Sequence, residues 1–126
     1  MDSPWAGTGR ASGGFAIRPA VNADEAAVRR VLRNVRLEYQ VHQDGHAADT
    51  DLADIEGNYL AGGGCFEVIV DARGQIVGCA GLRRLSSRRA ELCKMYVEPA
   101  ARGRGLGRRL LDDMLAVAQR SGFAEV

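Results

Sequence analysis

Apolar positions change period along this chain, and the changes mark its elements. Phe15-Ala16-Ile17-Arg18 is a short extended run ended by Pro19. Val28, Val31, Leu32, Val35 and Tyr39 then recur at the spacing of one helix face, and Tyr39 is counted with that helix's core. Asn22 stands where a cap would, and Glu25 three residues on completes a capping box. A shorter helix is predicted from Asp49 or Asp51, with Leu52, Ile55, Tyr59 and Leu60 on one side and Gly62-Gly63-Gly64 as its stop. From Cys65 the pattern is that of strands. Cys65–Val70 leads through the turn Asp71-Ala72-Arg73-Gly74 to Gln75–Leu82. After Ser86-Ser87 comes Ala90–Val97, with Leu92, Met95 and Val97 as its apolar members. Short connections make these strands an antiparallel meander. A last helix from about Leu106 to Arg120 buries Leu110, Leu111, Met114, Leu115 and Ala118, Gly122 stops it, and Phe123–Val126 begins a further strand. The order β-α-α-β-β-β-α-β predicts an α/β fold: a mixed sheet with helices on its faces.

Composition narrows the class without naming a function. The chain has 126 residues, 46% hydrophobic and 26% charged, which suits one globular domain with a core of its own. Residues 1–14 are rich in Gly, Ser and Ala, lack the apolar stretch of a signal peptide, and read as a flexible leader to a domain over 15–126. No run of about eighteen apolar residues is present, so no membrane span is expected and the cytoplasm is the expected location. A net charge of +1 supplies no overall field for nucleic acid or an acidic membrane. Cys65, Cys79 and Cys93 have no C-x-x-C spacing and are expected to be small buried hydrophobes in a reducing compartment. His42 and His46 are four apart, but Gly45 lies between them and no carboxylate-rich element accompanies them, so no metal is expected.

The informative segment is Tyr96-Val97-Glu98-Pro99-Ala100-Ala101-Arg102-Gly103-Arg104-Gly105-Leu106-Gly107-Arg108-Arg109, between a strand and a helix. Alternating glycines let the backbone turn tightly, and the first turn of the helix adds unpaired N–H donors and the positive end of its dipole. Such a loop suits phosphate, with arginine charge around it. A P-loop would need Gly-Lys-Ser/Thr, and no lysine follows these glycines. A dinucleotide fingerprint needs G-x-G-x-x-G after an opening parallel strand, whereas this loop is G-x-G-x-G after a meander. A purely structural turn with a basic rim, or a local nucleic-acid contact, is the bland alternative. The near-neutral charge and the lack of interleaved aromatics count against nucleic acid.

Arg102-Gly103-Arg104-Gly105-Leu106-Gly107 matches the [Q/R]-x-x-G-x-[G/A] motif of the GCN5-related N-acetyltransferase (GNAT) family. Glu91–Pro99 resembles that family's fourth strand and the turn after it, and Ile17-Arg18-Pro19-Ala20 resembles a common family opening. The resemblance implies the GNAT acyl-CoA N-acyltransferase fold and acetyl transfer from acetyl-CoA to a primary amine of a small molecule or peptide. It implies that the loop from Arg102 through Gly103, Arg104, Gly105, Leu106, Gly107 and Arg108 holds the pyrophosphate. Backbone groups of Met95, Tyr96 and Val97 would meet the pantetheine arm and the thioester carbonyl. Glu91 is the first candidate for the base that takes the amine's proton, and Glu98 a weaker one. Glu38, Tyr39, His42 and Asp44 are weak acceptor-site candidates.

A complete family domain continues after the central helix with a full strand, a helix and two further strands. By that comparison residues 15–126 correspond to its N-terminal and central part, lacking the last helix and strands. Three expectations follow: part of an active enzyme, a CoA- or acyl-CoA-binding remnant without turnover, or a sheet completed by another chain. The last would be a homodimer through the exposed sheet edge.

Overall fold

The computed structural model describes residues 14–39 and 44–126. Strands β1 (Ala16–Pro19), β2 (Cys65–Val70), β3 (Ile76–Arg84) and β4 (Ala90–Val97) form one four-stranded sheet in that order. Every neighbouring pair is antiparallel. Helices α1 (Glu25–Glu38) and α2 (Leu106–Arg120) cover opposite faces, because alternate strand residues meet different helices. Phe66, Val68 and Cys79 pack with Val28, Val31, Leu32 and Val35 of α1. Ile17, Cys65, Ile69 and Leu82 pack with Leu106, Leu110 and Met114 of α2. Each of these large side chains, taken fully out of water, contributes about 1.5–3 kcal/mol.

The meander forms as the pattern predicts, while its surroundings differ in several places. Asn22 does not cap α1. It belongs to a short 3-10 turn, where its Oδ1 accepts the Glu56 N–H at 2.9 Å and its Nδ2 donates to Asp54 at 3.1 Å. The carboxylate that reaches back is Asp24, which accepts the Val21 N–H at 2.8 Å and also binds Arg18. Tyr39 is not a core residue: it follows the end of α1 and is 64% exposed, while Arg36 takes the buried place one turn earlier.

The second helix is not α-helical. Asp44–Asp54 is wound in 3-10 turns and Glu56–Leu60 in one π turn. Asp49 has φ 52°, which no α-helix can pass through. Leu52, Ile55 and Tyr59 are buried as predicted, whereas Leu60 is exposed. In α2, Leu115 is exposed and Leu111 only half-buried, and Val117 takes their place beside Met114 and Ala118. The face that meets the sheet runs through positions 106, 110, 114, 117 and 118, and residues 111 and 115 lie to its side.

Phe123–Val126 makes one parallel bridge, Arg89 to Glu125, and no strand. The Gly122 turn (φ 85°) brings it back to the lead-in of β4, where Ala124 N–H donates to the Arg88 carbonyl at 2.7 Å and Ala90 N–H to that of Glu125 at 2.9 Å. The expected mixed sheet is therefore antiparallel over its four strands, with this bridge as its parallel contact among the described residues.

Candidate active site

β4 ends at Val97, and Glu98 N–H makes the last rung to the Val77 carbonyl at 2.8 Å. A 3-10 turn at Pro99–Ala101 lifts the chain off the sheet and into α2. Gly103 (φ 79°) and Gly105 (φ 75°) are both left-handed, the conformation in which glycine meets least resistance. Arg102 N–H bonds the Pro99 carbonyl, and the next amide with a backbone partner outside the regular ladder is that of Arg109, to Gly105. The amides of Gly103, Arg104, Gly105, Leu106, Gly107 and Arg108 between them donate to no protein atom among the described residues. A Cβ built on Gly103 or Gly105 would meet nothing within 4 Å, and one on Gly107 only Val97 Cγ2 at 3.9 Å. Open amides, a helix start and arginine side chains form a donor set that fits a diphosphate.

The arginines divide the work. Arg102 does not reach outward. Its Nε donates to the Val97 carbonyl at 2.8 Å and its terminal nitrogens to both carboxylate oxygens of Glu38 at 2.7 and 2.8 Å. Its guanidinium also stands over the Tyr39 ring at 5.6 Å. Glu38 and Tyr39 are thus joined to the loop, while His42 and the side chain of Asp44 lie outside the described residues. Arg104 stacks on Phe15 at 5.2 Å. Arg108 is largely exposed and touches Asp112 at 3.4 Å, so its charge stays available to a ligand. Leu106 is buried under the loop and anchors it to the α2-side core.

Met95 and Val97 face the α2-side core, and Tyr96 faces the α1 side. Leu92 also faces α2, so the alternation skips a step between Leu92 and Met95. The register explains it: Gly81 pairs with Cys93 and Cys79 with Tyr96, leaving Lys94 and Met95 together opposite Ala80. This is a β-bulge, with Lys94 at φ 54°. The Cys79 thiol donates to the Lys94 carbonyl at 3.2 Å. Burial pushes the Cys65 and Cys79 thiols up to about 12, which leaves both protonated and inert.

A charged cluster backs the bulge. Arg36 binds both carboxylate oxygens of Asp49 at 2.6 and 3.1 Å. Lys94 Nζ lies 3.1 Å from Asp49 and 3.3 Å from Asp51. The Tyr59 hydroxyl donates to Asp51 and lies 3.6 Å from the Cys93 sulfur. The Arg36 guanidinium stands 5.5 Å from the centre of the Tyr96 ring. Burial opposes the charge on Asp49, and the hydrogen bonds and charges of Arg36 and Lys94 outweigh it, holding the carboxyl below its ordinary range. Burial likewise opposes the Lys94 charge, and Asp49 with Asp51 outweighs it, raising the ammonium above its ordinary value.

Glu91 sits near the other end of β4, on the face shared with Cys93 and Tyr96. It pairs with Arg83 at 2.8 Å, half exposed. Glu98 lies 3.9 Å from Arg30, beside the loop.

The sequence profile of the acetyltransferase (GNAT) family matches residues 29–126. The chain belongs to this family. Among GNAT relatives, an uncharacterized N-acetyltransferase, YjgM, of Escherichia coli K12 is 34% identical over 105 residues, 79% of this chain and 62% of the relative. Mouse N-acetyltransferase family 8 member 3 is 36% identical over 61% of this chain, which spans 36% of that protein. The chain thus spans less than two thirds of either relative's length. Among solved structures, a GNAT acetyltransferase of Staphylococcus aureus superposes with a TM-score of 0.77 at 25% identity, covering 84% of this chain and 66% of that one. N-acetylglutamate synthase of Neisseria gonorrhoeae, solved with coenzyme A and N-acetyl-glutamate, shares the fold at a TM-score of 0.63 and 20% identity, over 90% of this chain and 24% of that one.

The family match over residues 29–126 includes the loop, which is legible in the sequence. The Arg36–Asp49–Lys94 cluster is not among the residues that sequence reasoning selected. One signal was present: apolar β4 positions at 92, 95 and 97 break strict alternation at residue 94.

Proposed function

We propose that this GNAT chain binds acetyl-CoA and transfers its acetyl group to a primary amine of a small molecule or peptide. The observation that carries the proposal is the run of amides from Gly103 to Arg108 at the head of α2, which have no partner among the described residues. In this reading those amides and Arg108 hold the pyrophosphate. Backbone groups of the Met95–Val97 stretch hold the acyl arm and its carbonyl, so the acetyl carbon is fixed and polarised before the amine arrives. The amine nitrogen forms the bond to that carbon, the C–S bond breaks, and the thiolate leaves to be protonated as free CoA thiol. The proton lost by the amine passes to Glu91, through water where the distance requires it.

The coenzyme half is tested by calorimetry with CoA on the wild type and on Gly107→Leu. A Cβ at Gly107 meets no close protein atom, and leucine is the better helix former. Folding stability should therefore hold or rise slightly, while CoA affinity falls more than about tenfold, or about 1.4 kcal/mol. Equal affinity in the two proteins would leave the loop a structural turn only. The transfer half is tested by thiol release from acetyl-CoA with a panel of amines. Glu91→Gln should lower the turnover number about a hundredfold, the lower end for a positioned base. Full turnover in that variant would remove Glu91 from the role. CoA binding without thiol release from any amine would instead favour a coenzyme-binding module.

A further inference from the structure

Asp49 and Lys94 are the non-glycine residues with left-handed φ among those described, at 52° and 54°, and they are bonded to each other. Each pays a steric cost for its conformation, since a Cβ crowds the backbone at such angles. Strain at both ends of one ion pair points to a shared purpose. Lys94 is the bulged residue of β4, next to the stretch assigned to the acyl arm. Its ammonium is taken up by Asp49 and Asp51. Its carbonyl receives the Cys79 thiol, which ties the bulge to β3. Asp49 is anchored in turn by Arg36 and, at its carbonyl, by Arg29 at 3.1 Å, so the clamp is fixed to α1.

We propose that Lys94 is a positioning residue, whose ion pairs with Asp49 and Asp51 hold the β4 bulge in its left-handed turn and so aim the bulge's backbone groups at the thioester. An extra residue in a bulge is left out of the ladder, which leaves the backbone groups beside the engaged Lys94 carbonyl for another partner. Without the clamp, the backbone around Lys94 relaxes toward ordinary pairing and those groups lose their aim. The proposal rests on the reading that the Met95–Val97 backbone meets the acyl arm. It goes beyond that reading in assigning the geometry to a charged clamp on the opposite side of the strand.

Two substitutions at one position separate backbone geometry from charge. Lys94→Ala and Lys94→Gly both remove the ammonium, but only glycine accepts φ 54° without a Cβ. Calorimetry on the full chain with acetyl-CoA and with CoA gives the preference for the acetylated form, which does not depend on how firmly the loop holds the pyrophosphate. Lys94→Ala should cut that preference about tenfold, and Lys94→Gly should keep it within about threefold. Amide hydrogen exchange at Met95 in the ligand-free chain should change about tenfold in the alanine variant and stay within about threefold in the glycine variant. Equal losses in both variants would mean that the ammonium itself acts on the ligand, and no loss in either would mean that the clamp is only structural; each result overturns the proposal. A wild type that binds neither compound refutes the coenzyme reading instead, and the exchange comparison still decides whether Lys94 sets the bulge.

Discussion

Replacing Glu67 with methionine should stabilise the fold by about 3 kcal/mol at pH 7 and by about 6 kcal/mol at pH 9. Glu67 lies in the middle of β2 and is 0% exposed. Neither of its carboxylate oxygens has a hydrogen-bond partner among the described residues. Burial, reinforced by the Asp113 carboxylate and partly offset by Arg120, pushes its pKa from 4.5 to about 9. Below pH 4.5 the folded and unfolded chains both carry the proton, so the group adds no pH dependence there. Between 4.5 and 9 the unfolded chain releases the proton and the folded chain keeps it. The unfolded state then binds fewer protons, and stability falls as pH rises, by about 1.4 kcal/mol per unit. Above about 9 both states are ionised and the loss levels off. Methionine has similar volume, no charge to desolvate and no polar atom that needs a strong partner. The check is urea unfolding of both proteins at pH 5, 7 and 9. The gap between them should widen with pH. Parallel curves would mean that Glu67 is ionised, or hydrated, in the folded chain.

The second large effect is the reverse in sign. Arg36→Met should destabilise the chain by about 3–5 kcal/mol. Arg36 is 2% exposed and Asp49 6% exposed, and their two hydrogen bonds are made inside the protein. Removing the guanidinium leaves Asp49 and Asp51 against Lys94 alone, with one negative charge in excess where water cannot reach it freely. It also takes away the cation over the Tyr96 ring. Adding Asp49→Asn to that variant removes the excess charge, and asparagine tolerates the left-handed backbone at this position. The double variant should therefore recover part of the loss, and the shortfall from additivity in a double-mutant cycle measures the coupling. Strictly additive losses would show that the pair has no energetic coupling. Because Asp49 is held below its ordinary pKa, its part of this stability is lost as pH falls through the acid range. The raised Lys94 keeps its part until pH rises beyond the ordinary lysine range.

These effects separate what was legible in the chain from what was not. The strand meander, the apolar faces of both helices and the phosphate-type loop were legible because each is written in neighbouring residues. Period two, period three to four, and glycines at alternate places are local signals with local causes. Tyr39 went the other way: helical spacing put it in the core, but α1 ends one residue earlier and its ring meets Arg102 at the surface. Phe123–Val126, expected to begin a further strand, contributes a single bridge.

By itself, the sequence determined the element order, the two-faced core and a glycine loop at the head of a helix, since torsional preference and burial of spaced apolar residues act over a few positions. Tertiary structure alone decided that Arg36, Asp49 and Lys94 form one charged cluster, that Arg102 pairs with Glu38, and that Glu67 is buried on the α2 side of the sheet. Those facts depend on charges brought together from distant parts of the chain and on water excluded by packing, and neither is encoded at any one position.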